Sequence, residues 1–157
     1  MRKAFPIGIT IFIAIVVIFI FFSLFNRNPI SRNKEEVITS INSMYNTNNT
    51  TMLLSDITRF DWHKVYIFSP NTSTKEQENV LGRHKGVKYR VSPNEGGCIA
   101  FIRDNDVVCY ISGNSDEIGF KLSYEYSKYN ENFVKVSPSD VFYLSRANGI
   151  VDIKLDY

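Results

Sequence analysis

The pattern of hydrophobic and polar positions begins with one long apolar run. Residues 4–25 carry no charged side chain. Because an α-helix rises about 1.5 Å per residue, this run reaches about 33 Å and can cross a hydrocarbon core of about 30 Å. The pattern therefore predicts a membrane-spanning helix at residues 4–25, with a short tail at 1–3 before it and a polar linker at 26–33 after it.

The flanks of this run favour a retained anchor over a cleaved signal peptide. A signal peptide has a shorter apolar region and a small-residue cleavage site, whereas residues 23–27 are mostly bulky. No cysteine precedes Cys98, so a lipid-attachment motif is absent from this region. Basic residues lie on both sides of the run, and their count does not set its direction. Since a very short basic tail usually stays inside, we expect the following domain outside the cell membrane.

Two segments predict helices in the domain that follows. Apolar residues recur at spacings of three and four over residues 37–45, which indicates one apolar helix face, and Ser31 is its expected N-cap. Ser73 and Glu76 have the spacing of a capping box, which predicts a short helix over residues 74–81. A glycine follows directly and is the expected stop.

Runs of β-branched and aromatic residues predict strands through the rest of the domain, which spans residues 34–157. The runs lie at residues 65–68, 87–91, 98–103, 106–112, 118–124, 133–136, 141–144 and 150–155. The predicted fold class is α+β, an N-terminal transmembrane helix followed by one small domain. That domain is expected to hold two helices and an antiparallel sheet of about five or six strands.

A hairpin turn at residues 104–105 allows a strand register to be predicted. A two-residue turn opposes Ala100 to Cys109 and Cys98 to Ile111, all on one apolar face. The two cysteines are then diagonal, about 7–8 Å apart, whereas a disulfide needs Cα atoms within about 7 Å. We therefore expect two buried free thiols, with a disulfide as the alternative in an exported domain.

One segment carries a resemblance to other proteins. Residues 56–72 read D-I-T-R-F-D-W-H-K-V-Y-I-F-S-P-N-T and lead into the predicted helix that ends at Gly82. The segment resembles a family of small membrane-anchored or lipoprotein-like proteins of Gram-positive bacteria, with the pattern D-I-T-x-F-x-W-x-K-V-Y-x-F-x-P-x-T. His63 and Asn71 stand where an acid and a tyrosine are usual. The resemblance implies a membrane location and this order of elements, and it implies no activity and no catalytic residue.

Charge excludes one class of partner. The chain has 18 basic and 16 acidic residues, and its net charge of +2 comes from Arg2 and Lys3, so residues 26–157 carry no net charge. A nucleic-acid-binding protein carries a basic stripe or patch, and we therefore expect no nucleic-acid partner. A local basic cluster at residues 83–90 is interpreted as a solvated loop or strand edge.

The chain lacks the sequence motifs of common catalytic and metal sites. It contains no C-x-x-C, H-E-x-x-H, P-loop or G-x-S-x-G pattern. We accordingly predict no catalytic residue, no cofactor and no bound metal. Asp61, His63 and Lys64 bring an acid, an imidazole and an amine together, which makes them the best place for proton transfer. We favour the interpretation that they are the polar start of a buried strand held by Phe60 and Trp62.

The remaining interpretation is a protein that works by binding. We expect an envelope protein that binds a protein or peptide at the outer, membrane-proximal surface, as an accessory or immunity-type factor. A small-ligand sensor with a pocket lined by Trp62, Tyr66 and Phe101 is the first alternative, and a hydrolase or thiol-dependent enzyme is the second. The candidate ligand or partner surface consists of Trp62, His63, Tyr66, Tyr124, Tyr126 and Tyr129.

Overall fold

The structure, a computed structural model, describes residues 11–18, 28–44, 50–92, 97–123 and 132–155. The predicted tail and both ends of the predicted anchor lie outside these residues, while residues 11–18 are helical. Among the described residues, no helix combines the length and the apolar character that a membrane crossing requires.

The described part of the domain contains three α-helices and one 3-10 turn. They are α1 (Pro29–Ser43), α2 (Thr74–Leu81), α3 (Ser115–Ile118) and a 3-10 turn at Leu54–Ile57. The two helices expected from the sequence are therefore present, and α3 is an additional helix between the strands predicted at 106–112 and 118–124. Helix α1 also begins earlier than expected, because Asn28 is its N-cap in place of Ser31. The Asn28 side chain accepts a hydrogen bond from the backbone N–H of Ile30, and Pro29 opens the first turn, where its missing N–H costs little.

The start of α2 confirms the predicted capping box. The Ser73 hydroxyl accepts from the backbone N–H of Glu76 at 3.2 Å, and the Glu76 carboxylate accepts from the backbone N–H of Ser73 at 2.9 Å. The Ser73 hydroxyl also donates to the Glu76 carboxylate at 2.8 Å. This bond, together with the one from the Ser73 backbone N–H, holds the pKa of Glu76 below its usual value. Gly82 ends the helix at a φ of 84°, in the region that favours glycine.

The fold class is α+β, and the strands form two sheets of four strands each, which corrects the expected single sheet of five or six. The first sheet has the order β1-β7-β8-β5 and the second the order β4-β3-β2-β6. The strands are β1 (Thr50–Leu53), β2 (Lys64–Phe68), β3 (Gly97–Arg103), β4 (Asp106–Gly113), β5 (Phe120–Ser123), β6 (Phe133–Val136), β7 (Val141–Ala147) and β8 (Ile150–Leu155).

The sheets differ from the expected antiparallel arrangement at one pair. Strands β5 and β8 are parallel, whereas the other pairs are antiparallel. In the chain, β5 follows β4 of the second sheet and α3, and no hairpin joins β5 to β8. Strand β5 can therefore run in the same direction as β8. The expected strand at residues 87–91 is wrong, since these residues adopt no regular structure. Strand β1 was not expected, because residues 46–51 read N-T-N-N-T-T, a run typical of a loop, and β1 begins within this run.

The inner faces of the two sheets pack against each other around one main core. Fully buried aromatic side chains fill its centre, namely Phe101 from the second sheet and Phe120 and Phe142 from the first. Helix α1 adds Val37 and Ile41, each about 1% exposed, to the same core. Burial of large side chains of this kind is the main stabilising contribution, at about 1.5–3 kcal/mol each.

The outer face of the second sheet is covered as well. Helix α2 and the loop after it lie over a second cluster of buried side chains, which includes Phe68, Ala100 and Tyr110. Because both faces of this sheet are buried, its central strand β3 is apolar at nearly every position from Cys98 to Ile102. Alternation of polar and apolar residues therefore carries little information in this strand.

The hairpin between β3 and β4 confirms the predicted turn and corrects the predicted register. The register shifts between Phe101 and Ile102, and Val108 is the extra residue of a β-bulge. Beyond the bulge Cys109 opposes Phe101, in place of the expected Ala100. The slip exchanges the two faces for the rest of β4, so Cys109 joins the inner core while Cys98 remains on the outer face.

Two glycines with similar φ angles provide a matched test of the contact between helix α1 and the residue that follows α3. Gly119 and Gly149 have φ of 82° and 84°, where any other residue costs about 1–2 kcal/mol. An alanine Cβ at position 119 would collide with the Asn42 side chain, whereas at 149 it meets nothing within 4 Å. Asn42 donates to the Ile118 carbonyl at 3.3 Å, so Gly119→Ala also disturbs this bond.

We therefore expect Gly119→Ala to lower the free energy of unfolding by about 1 kcal/mol more than Gly149→Ala does. Urea unfolding of the full chain in detergent, followed by tyrosine fluorescence or circular dichroism, measures both. Equal losses in the two variants would contradict the contact between Gly119 and Asn42.

Candidate functional site

Trp62, the first residue of the expected binding surface, closes one end of the inner core. The Trp62 ring packs edge to face against the Phe101 ring, with centroids 5.3 Å apart. The Phe60 ring also packs against the Phe101 ring, at a centroid distance of 5.5 Å. The indole N–H donates to the Thr58 hydroxyl at 2.7 Å. Trp62 is half-buried and its donor is occupied, so the side chain is chiefly part of the core.

Tyr66 lies on the opposite face of the second sheet. Its ring packs against Phe68 and Phe133, with centroids 6.3 and 5.6 Å away. The predicted pocket lined by Trp62, Tyr66 and Phe101 is therefore wrong, because the sheet separates Tyr66 from the other two. The expected surface residues Tyr124, Tyr126 and Tyr129 lie outside the described residues.

His63 is exposed and contacts the tip of the hairpin. Its backbone N–H donates to the Ile102 carbonyl at 3.0 Å, and its ring Nδ1 accepts from the backbone N–H of Asp104 at 3.4 Å. Both contacts hold the segment before β2 against β3. This geometry agrees with the interpretation of residues 61–64 as the polar start of a buried strand.

The two cysteines are free and buried on opposite faces of the second sheet. Burial raises the pKa of both thiols above the usual value. Cys98 donates to the Arg90 carbonyl at 3.2 Å. The predicted free thiols are confirmed, although the predicted diagonal arrangement is not, since the bulge moves Cys109 to the other face.

A buried polar cluster lies between α2, β4 and the loop over residues 82–92. At its centre is Gln77, whose side chain is fully buried. The Gln77 amide donates to the carbonyls of Thr72 and Arg90 at 3.1 and 2.9 Å. The Tyr110 hydroxyl donates to Gln77 Oε1 at 2.7 Å and accepts from the backbone N–H of Arg90 at 3.1 Å. Each polar group of the cluster thereby has a partner, and the loop is held by hydrogen bonds in the absence of a strand.

Further contacts join the loop at residues 82–92 to the beginning of α1, to the end of α2 and to the hairpin. The Asn28 side chain donates to the Gly86 carbonyl at 3.4 Å, and Gly86 has a φ of 88° at this close approach. His84 donates through Nε2 to the Leu81 carbonyl at 2.6 Å, while its Nδ1 lies 3.6 Å from the Asp106 carboxylate. The loop therefore has a defined position beside the first turn of the first helix.

Two open grooves with basic linings flank this loop. One, of about 380 Å³, includes Asn28, Ile30 and Asp106 in its lining. The other, of about 230 Å³, shares Ile30 and includes Gly86. The Lys and Arg residues that line the grooves form what we call the basic surface: Arg32, Lys34, Lys85, Lys88, Arg90 and Arg103.

The basic surface is larger than the cluster seen in the sequence. The sequence shows the basic run at residues 83–90 and indicates a solvated loop, which the structure confirms for the exposed Lys85 and Lys88. Arg32 comes from α1, 51 residues before the run, and Arg103 comes from the hairpin, 13 residues after it. No local signal could have joined them to the run, because the contacts that do so are tertiary.

Within the described residues, no group of three or more His, Cys, Asp or Glu side chains is arranged to hold a metal ion.

A comparison of the chain with protein-family models, with curated protein sequences and with solved structures finds no match. The resemblance of residues 56–82 therefore stays a prediction.

The polar cluster can be tested through Tyr110, which is 6% exposed. Tyr110→Phe removes the hydroxyl that serves Gln77 and Arg90, and leaves buried groups without their partner. We expect the free energy of unfolding to fall by about 1–3 kcal/mol. In Tyr143→Phe, the matched control at a residue 38% exposed, we expect a change within about 0.5 kcal/mol. Chemical denaturation of the full chain measures both, and equal effects would contradict a structural role for the cluster.

Thiol titration tests the cysteine geometry. Without reductant, we expect no rapid reaction of the folded chain with an aromatic disulfide reagent and reaction of both thiols after denaturation. Because burial raises the thiol pKa values, the unfolded state releases thiol protons above pH ~8.5 that the folded state keeps. The free energy of unfolding should therefore fall as the pH rises above this value. Denatured protein without titratable thiols would instead establish a disulfide.

Proposed function

We propose that the chain is a single-pass membrane protein, anchored through residues 4–25, whose domain lies outside the cell membrane and binds a protein or peptide partner. The observation that supports the anchor is the helical stretch at residues 11–18. Its seven large apolar side chains are each between 38% and 67% exposed. A helix that is apolar on every side requires an apolar environment, and here lipid supplies the environment that the domain core does not.

The outer face of the first sheet supports a protein partner. Tyr143 lies between Thr51 and Lys154 in neighbouring strands, and Val141 lies opposite Leu53, so these side chains share one face. Val141 and Tyr143 are each 38% exposed. The outer face of the second sheet, by contrast, is covered by α2 and its following loop. We call this group, in which only Leu53 is half-buried, the open face: Thr51, Leu53, Val141, Tyr143 and Lys154.

The chemistry of the open face suits a protein surface. Apolar and tyrosine side chains occupy its middle, and an ion pair between Lys121 and Asp152, with a distance of 3.3 Å, lies on the neighbouring strands. Protein interfaces commonly combine an aromatic and apolar centre with a polar rim. A tyrosine provides a large contact area with few rotatable bonds and is frequent among the residues that dominate binding.

The geometry gives less support to the alternatives. A thiol-dependent enzyme requires an accessible thiolate, whereas Cys109 is fully buried between the sheets and burial raises its pKa. A small-ligand sensor would require a pocket formed by Trp62, Tyr66 and Phe101, and the second sheet separates Tyr66 from the other two residues. A protein partner at the open face requires neither an accessible thiolate nor this pocket.

Site-specific photo-crosslinking in intact membranes tests the partner surface. The full chain carries the photoreactive residue p-benzoylphenylalanine in place of Tyr143, or in place of Lys75 on α2 as a control that is also exposed. We expect one discrete protein adduct at position 143 and none at 75. Adding Val141→Asp should weaken the adduct about tenfold, because a charge in the centre of an interface costs at least about 1.4 kcal/mol.

Two results would contradict this assignment. Equal adducts at both positions would indicate unspecific proximity to other membrane proteins. An adduct at 143 that Val141→Asp leaves unchanged would show that the open face does not form the contact. Circular dichroism of the Val141→Asp variant controls for unfolding, and little change is expected because Val141 is exposed.

A further inference from the structure

The basic surface lies where the chain enters the domain. Five of its six residues are exposed, and only Lys34 is half-buried. In the described part of the chain, Asp106 is the acid in the lining of the two grooves, and it faces His84 at 3.6 Å. Because Lys85 and Lys88 are exposed, their positive charges are accessible to solvent next to the first turn of α1. Residues 26–157 as a whole carry no net charge, so this concentration of positive charge is local.

The length of chain before α1 limits how far this surface can be from the membrane. Asn28 follows the apolar run, which ends at Phe25, by three residues. Three extended residues reach at most about 11 Å, and the headgroup layer on each side of the hydrocarbon is about 5–8 Å thick. Because Asn28 contacts Gly86, Lys85 and its neighbours lie at or just beyond the headgroups. This step rests on the proposed membrane anchor.

We propose that the basic surface binds the anionic headgroups of phospholipids in the leaflet from which the domain emerges. Lysine and arginine side chains bind phosphate through charge-assisted hydrogen bonds, and basic segments beside a membrane are attracted to anionic lipids. The anchor keeps the surface and the lipid together, so even weak individual contacts act at a high effective concentration. The result is a fixed tilt of the domain, with the loop at residues 82–92 against the membrane.

Hydrogen–deuterium exchange of the full chain in lipid nanodiscs tests this contact. The discs contain phosphatidylcholine alone or phosphatidylcholine mixed with phosphatidylglycerol. We expect slower exchange of the amides at residues 83–91 in the anionic discs. About 1 M salt should abolish the difference, because it shortens the Debye length to about 3 Å.

Matched double variants identify the residues responsible. Lys85→Gln with Lys88→Gln should remove most of the protection, because each basic side chain near an anionic surface strengthens the association about fivefold. Lys75→Gln with Lys135→Gln removes the same charge from exposed positions elsewhere and should leave the protection intact. Loss of protection in both variants would attribute it to net charge alone and overturn the proposal.

Two further measurements distinguish a lipid headgroup from free phosphate and test the anchor separately. Identical exchange in the two kinds of disc overturns the lipid contact, and so does equal protection by inorganic phosphate in phosphatidylcholine discs. Extraction of the native membranes with alkaline carbonate tests the anchor itself. Release of the chain would refute the proposed anchor, whereas a retained chain with an unprotected loop would refute the lipid contact alone.

Discussion

The hydrogen bond from the Asn33 side chain to the carbonyl of Val108 joins the first helix to the irregular point of the hairpin. It is 2.8 Å long, and Asn33 is only 5% exposed, so its loss would leave a buried amide without its partner. Val108 stands outside the strand ladder because it is the extra residue of the bulge. The bond thereby fixes α1 along the edge strand β4, so that the helix covers this edge of the sheet. It also places Asn28 beside the loop that carries Gly86.

The bulge also explains how the second sheet is buried on both faces. Before it, Val107 belongs to the outer cluster; after it, Cys109 belongs to the inner core. A regular strand would have kept these two residues on one face, as we expected from the turn. Register can be predicted from apolar alternation only where one face is exposed. Here apolar residues occupy both faces, and a slipped register is equally consistent with the sequence.

The elements with local signals could be predicted, and their assembly could not. The capping box at Ser73, the helix before residue 44, the hairpin turn at residues 104–105 and the strand at 65–68 depend on neighbouring residues, and each is present. The predicted pocket of Trp62, Tyr66 and Phe101 could not be checked from local signals, because strand alternation does not extend before β2. Trp62 and Tyr66 would share a face in a continuous strand, but the chain bends at residue 63 and β2 begins only at Lys64, so the two rings separate.

The position of β8 inside the first sheet has a consequence for the order of folding. It pairs with β7 on one side and with the parallel β5 on the other, although it is the last of the described strands. Strands β5 and β7 therefore lack their common neighbour until the chain has been made beyond residue 150. The pairing of β1 with β7 likewise joins segments about ninety residues apart, and such contacts form slowly. A chain that passes stepwise through a narrow channel would thus lack its complete first sheet until β8 had emerged, and would stay in a threadable state up to that point.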